Sequence, residues 1–409
     1  MLNKYFFYNK NVEIKWMIIL PVLILLSISL ITLFSTKNTI SLAESNFFKQ
    51  CVFVLLGILI FYFLQFIRNV FFYEMAYVFY FILLTLLIIT LFMPSKFGAS
   101  RWIFIGPIRF QPSEIGKIII VFTLSKFLAD YKNNINDWKL IPLTLFIASF
   151  PALLIFKQPD LGTAIIFPAV TFPMLLWAGV RPFHLFVVVS PLLSIIAAFN
   201  LKLFYLWMFI LILVIFLSQP NVRNGIILFI VNLFFGTLSS FLWSNLYAHQ
   251  RNRILTFLDP TSDPLGAGYQ IIQSITAIGS GGLLGKGFGQ GSQTHLRFLP
   301  VRDSDFIISV IGEEFGFILI LGVFIVFYFL LHNIISSSSK LNNKFGSFVL
   351  IGFVSTIFFH VIINMGMVVS LFPVTGLPLP FISYGGTFLL TMITIISITN
   401  NIISSDIEV

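Results

Sequence analysis

Apolar runs of about twenty residues recur along this chain, and nothing constrains its fold more. They lie near 16–34, 47–66, 71–93, 113–130, 141–157, 161–179, 183–199, 203–217, 225–243, 305–332, 346–370 and 382–403. Each is long enough, or nearly so, to cross a bilayer as a helix, where every backbone polar group must be satisfied within the segment. Charged residues make up only 10% of the 409 positions and hydrophobic ones 58%, whereas soluble domains carry about 25% charged. The expected fold is therefore an all-α polytopic membrane protein of about twelve transmembrane helices, one membrane domain over residues 1–409. Lys4, Lys10 and Lys15 ahead of the first apolar run resemble a signal peptide. That run is long enough to span and no persuasive small-residue cleavage site follows, so it reads as an uncleaved first helix.

The net charge of +9 is spread over short loops, which suits anionic lipid headgroups or an anionic lipid substrate and not nucleic acid. With a cytoplasmic N-terminus, the inner loops carry Arg68, Lys132, Lys139, Arg181, Arg223, Lys340 and Lys344, and nine spans place the polar stretch 244–304 outside. Lys96, Arg101, Arg109 and Lys157 also fall outside, against the usual bias. An outer face that binds an anionic headgroup would use such cations.

Polar chemistry is concentrated at a few points. Pro112 suits a helix start, and Glu114 and Lys117 then share one helix face at i, i+3. They form either an ion pair at a span mouth or a polar patch facing a cavity. Asp160, in Gln158-Pro-Asp-Leu-Gly-Thr163, fits a helix N-cap. Asp263 precedes Pro264 in a turn; it is an Asx-turn residue, or a carboxylate at the membrane surface able to act as a general base. The glycine run 279–291 fails the phosphate-loop pattern, since Gly287 follows Lys286 where Ser or Thr is required. It reads instead as a tight segment that lets backbone approach something closely. Glu313 and Glu314 sit in the next span, suited to hydrogen bonds within the bundle or to the electrostatics of a cavity. His360 and Asn364, at i, i+4, read as an interhelical hydrogen-bonding pair. The five histidines and Cys51 give no metal-ligand spacing.

Taken in order, Gln111-Pro-Ser-Glu-Ile-Gly-Lys117, Gln158-Pro-Asp-Leu-Gly-Thr163, Asp263-Pro-Leu-Gly-Ala-Gly-Tyr269, the glycine run, Asp305-Phe306 with Gly312-Glu-Glu314, and Pro378-Leu-Pro-Phe-Ile-Ser-Tyr-Gly-Gly386 resemble the SEDS family of bacterial shape, elongation, division and sporulation. Pro373-Val-Thr-Gly376 is closer to the RodA-like elongation branch than to the FtsW-like division branch. The resemblance implies a peptidoglycan glycosyltransferase of the bacterial cytoplasmic membrane that polymerises lipid II on the outer face. It implies a class B penicillin-binding protein as partner, and a divalent cation, Mg or Mn, is compatible with the chemistry. The family's catalytic acid falls on Asp263, and its essential basic residues on Arg109 and Lys117 with Glu114 beside them. Arg101, Asp160 and Lys286 also fall on motif positions. Two departures stand out. Val301 replaces a usual Glu after Leu299-Pro300, and 183–243 holds a helix pair beyond the family's core of ten. A lipid II flippase and a non-catalytic scaffold for the penicillin-binding protein are the alternatives.

Overall fold

In a computed structural model, residues 5–6, 11–37, 45–93, 101–105, 108–131, 139–218, 220–245, 259–264, 266, 268–295 and 298–405 are described. Among them, twelve helices of sixteen residues or more coincide with the apolar runs. They are α1 (Trp16–Ser35), α2 (Asn46–Leu64), α3 (Asn69–Leu91), α4 (Pro112–Asp130), α5 (Leu140–Phe156), α6 (Leu161–Ala178), α7 (Pro182–Ala197), α8 (Leu201–Ser218) and α9 (Val222–Asn245). After α10 (Tyr269–Gly281) and the single turn α11 (Ser292–His295) come α12 (Ile307–Ser338), α13 (Lys344–Val368) and α14 (Gly386–Ser405). Nine of the twelve are long and apolar enough to cross a membrane, and α5 and α7 are shorter apolar helices. The remaining one, α4, carries Glu114, Lys117, Lys126 and Asp130. It nonetheless sits at the centre, with Ile118 to Ser125 all buried. A helix surrounded by other helices can keep such groups because they face protein and not lipid.

The main core joins α1–α6 with α12–α14, and Leu185 of α7 reaches into it. Alternating connections bring 101–105, 108–111, 157–160, 303–306 and 372–385 to one end of the bundle. Residue 5 and the C-terminal ends of α12 and α14 lie at the other, where the Asn400 side chain accepts from the Lys15 amide (2.9 Å) and Asn333 donates to the Met17 carbonyl (2.9 Å). The helices α7–α9 also enclose a second, smaller apolar cluster of Met208, Leu211 and Leu228. The centre of this helix group is polar. Asn232 donates to Ser190 (3.0 Å) and accepts from Ser194 (2.7 Å), and Ser194 accepts from the Trp207 indole (2.7 Å). Hydroxyls and amides that would be costly in lipid thereby satisfy one another across three helices.

Two features were not expected from the sequence. β1 (Ile103–Ile105) and β2 (Ile108–Phe110) pair as a two-stranded antiparallel ribbon, with Phe104 opposite Arg109. The helix α12 is broken at Gly316 (φ 77°, ψ −175°). That break frees backbone groups inside the bundle, and the glycine run replaces their partners. Lys286 N donates to Glu313 O (2.9 Å) and Gly287 N to Glu314 O (2.9 Å), while Phe317 N donates to Gly282 O (2.9 Å) and Ile318 N to Leu283 O (3.2 Å). The close approach expected of the run is therefore an approach to a span. A Cβ at Gly285 (φ 81°) would overlap the Glu314 carbonyl, and one at Gly316 would overlap the Leu283 carbonyl.

Candidate functional site

The start of α4 is set by Gln111 and Pro112: Gln111 is extended (φ −109°, ψ 105°) and Pro112 occupies the first helical turn, where its missing N–H is no loss. One turn in, Lys117 Nζ donates to Glu114 Oε1 (2.9 Å) and Oε2 (3.0 Å). The two side chains are 1% and 7% exposed, so this is a buried pair and not a surface contact at a span mouth. The Lys117 ammonium also lies 5.1 Å from the centre of the Phe388 ring, within cation–π range. Glu114 borders an apolar groove of ≈ 360 Å³ between α2, α3, α4 and α14, whose walls include Phe72, Phe122, Leu390 and Ile398.

Beside that pair, Asp160 caps α6, accepting from Thr163 N (3.3 Å). It is also held by Gln111 Nε2 (3.1 Å) and faces Arg101 Nη1 at 3.8 Å, while Arg101 Nε donates to the Gln158 carbonyl (3.2 Å). The structure therefore gives Asp160 its capping role and joins it to Arg101 and to the start of α4. Gln111, which binds both Asp160 and Ser113 (3.1 Å), was quoted in the motif but not singled out.

The proline-rich turn before α14 closes over this end. Asn364 donates to the carbonyls of Leu377 (2.7 Å) and Asp305 (3.0 Å), and the His360 ring meets the Pro378 carbonyl at 3.2 Å. These two α13 side chains thus fasten the turn and the entry to α12, rather than bonding to another helix's side chains. Asp305 is largely enclosed, and burial pushes its carboxyl up from the usual value of 3.8.

Asp263 ends a short helical turn (Pro260–Ser262) and is exposed. Its backbone carbonyl accepts from Gly268 N (3.1 Å), and its carboxylate lies against Gly266, where a Cβ would overlap it. It does not line the groove bordered by Glu114. The side chain of Arg109 lies outside what is described; its backbone is in β2, three residues before α4 begins. Lys286 is placed apart from Lys117, donating to Glu313 Oε1 (2.8 Å) and Ser292 (2.9 Å). Glu313 accepts as well from Gln293 N (2.9 Å), Thr294 N (3.0 Å) and Thr294 Oγ1 (2.8 Å). Glu314 accepts from Ser35 (2.5 Å) and contacts His295 Nε2 (2.8 Å). Both glutamates take the hydrogen-bonding role expected of them inside the bundle.

The family model FTSW_RODA_SPOVE, described as "Cell cycle protein", matches residues 12–205 and 183–407. The chain belongs to that family. This SEDS protein is 35% identical over 302 residues to peptidoglycan glycosyltransferase MrdB of Escherichia coli K12, covering 72% of this chain and 68% of MrdB. It is 32% identical to stage V sporulation protein E of Bacillus subtilis 168, over 96% and 98% of the two chains. Two solved structures share the SEDS fold. One is a chain of a peptidoglycan synthase complex studied for its coordination of polymerization and crosslinking (24% identity, TM-score 0.70, 96% and 98% covered). The other is RodA of Thermus thermophilus (22% identity, TM-score 0.62, 96% and 97% covered).

Proposed function

We propose that this protein is a peptidoglycan glycosyltransferase that polymerises lipid II at the outer face of the bacterial cytoplasmic membrane, releasing undecaprenyl pyrophosphate. One observation carries the reading beyond family membership: a buried Lys–Glu pair at the edge of an apolar groove. A lipid-linked pyrophosphate needs both parts, an apolar channel for its tail and a cation beside it for its head. The 4-hydroxyl of one sugar attacks C1 of another, and that bond to the pyrophosphate breaks. The attacking hydroxyl is a weak acid, so a base must take its proton as the bond forms; that base is Asp263. Charge collects on the departing pyrophosphate, where fixed cations lower the barrier. Lys117 and Arg109 supply them, with Arg101 further out on Asp160. Glu114 orients Lys117. Lys286 is assigned to holding the glycine run and not to the substrate.

Asp263 and Lys117 facing one outer-leaflet cavity is part of this proposal. Among the described residues no three His, Cys, Asp or Glu side chains gather to hold a metal, and both Glu114 oxygens are on Lys117. A divalent cation such as Mg or Mn would share the charge of the pyrophosphate. The relatives include MrdB, RodA, FtsW and a sporulation protein. The assignment to elongation rests on Pro373-Val-Thr-Gly376. A class B penicillin-binding protein as crosslinking partner is supported by the SEDS-fold chain of the peptidoglycan synthase complex. The reading that 183–243 adds a helix pair to a core of ten is supported by the second apolar cluster that α7–α9 enclose.

The test uses purified protein in detergent with lipid II and a divalent cation, and gel detection of glycan. Detergent has no two sides, so a flippase or a scaffold gives no product. Wild type should polymerise. Asp263→Asn should lose about 10²–10⁴-fold while keeping its melting temperature; normal polymerisation by that variant sinks the base assignment.

A further inference from the structure

His360 lies on α13, fully buried, and neither end of its ring is accounted for by the mechanism above. Nδ1 meets the Pro378 carbonyl at 3.2 Å. A carbonyl can only accept, so Nδ1 carries the proton and donates. That leaves Nε2, in the neutral ring, as an acceptor. Nε2 is buried and has no hydrogen-bond partner among the described residues, a costly condition for a polar atom unless something arrives to meet it. The ring packs on Phe388, centroid to centroid 5.0 Å. Lys117 lies over the same Phe388 ring. An ammonium has three donors. Lys117 spends its bonds on the two Glu114 oxygens and turns its remaining face to the aromatic ring. An unmet acceptor and an under-used donor thus share one buried aromatic neighbour.

We propose that His360 is a positioning residue for Lys117, its Nε2 accepting a hydrogen bond from the ammonium, directly or through one water, when Lys117 turns from Glu114 to a substrate phosphate. The proposal rests on the reading of Lys117 as a pyrophosphate cation. It gives the three donors three acceptors: a Glu114 oxygen, a phosphate oxygen and the imidazole. It also ties the proline-rich turn to the cation, since one ring holds the Pro378 carbonyl and the other end of that ring steadies Lys117.

The two nitrogens can be tested apart. Asparagine places its amide near the Nδ1 position, and glutamine near Nε2. His360→Asn should keep the melting temperature, because the Pro378 carbonyl stays bonded, but lose about ten- to a hundredfold in kcat on lipid II with a smaller change in KM. His360→Gln should melt earlier yet recover most of that kcat. A purely structural histidine gives the opposite order, with activity following stability. Isotope-labelled histidine NMR of the wild type adds a measurement that needs no variant: the Nε2 signal should shift on adding undecaprenyl pyrophosphate, and should not shift in Lys117→Met. His360→Asn at wild-type rate, or an unmoved Nε2 signal, overturns the proposal alone. A wild type that makes no glycan from lipid II overturns the glycosyltransferase reading and this proposal with it.

Discussion

Two of the lysine–glutamate pairs among the described residues, Lys117–Glu114 and Lys286–Glu313, are built differently. Lys286 reaches Glu313 from a loop, and that carboxylate is also held by two backbone amides and two hydroxyls. The Glu114 carboxylate is bonded by Lys117, with no second donor to it among the described residues. A carboxylate with a full set of donors has been given up to structure. One whose lysine is its principal partner leaves that lysine with something to release, because a phosphate can compete for it without dismantling a network. Two pairs of the same chemistry thus separate into a fastening and a device.

The comparison breaks most visibly at Lys117. Lys117→Met strands a buried carboxylate, which costs about 3–5 kcal/mol, and removes a cation from the pyrophosphate. A large fall in both melting temperature and glycan yield is expected. Adding Glu114→Gln should restore the melting temperature but not the yield. Lys286→Met leaves Glu313 four donors and should cost only about 1 kcal/mol, with polymerisation largely kept. If the two variants behave alike, the distinction fails. Gly285→Ala tests the fastening from its backbone side. Its left-handed conformation and the adjacent Glu314 carbonyl predict about 1–3 kcal/mol of strain or more, read by thermal unfolding.

The smallest effect concerns Asp305. Its folded carboxyl is raised by burial, so the fold favours the protonated form. That contribution to stability is fully present below the unfolded value of 3.8 and is lost as pH rises through the raised folded value. Asp305→Asn should therefore match or exceed the wild type in melting temperature near neutrality. The gap should close as pH falls towards about 4. A gap that widens on acidification contradicts the assignment.

Much of the architecture could be read from hydropathy alone. The bilayer fixes segment length, so the runs near 16–34 and 346–370 became α1 and α13 with ends shifted by two residues or fewer. The pairing of Glu114 with Lys117 was legible because helical spacing puts them on one face. Longer-range partners left no such trace. Nothing local in Lys286 or Glu313 says that they meet, and the apolar run around Gly316 carries no sign that the helix breaks there. The three-residue strands β1 and β2 are too short to show a period. The unmet nitrogen of His360 depends on Phe388 and Pro378, residues contributed by other segments, and no pattern around position 360 encodes them.

The stitch between 281–287 and the broken α12 has a mechanical consequence. The four backbone bonds across it load in parallel, so the glycine run cannot swing as a free flap. A pull applied near Asp263 passes along α10 into the middle of a membrane helix. Through Ser274, which bonds both Ser309 and the Val368 carbonyl, it also reaches the end of α13. Whatever grips this segment from outside therefore has a handle on the bundle itself.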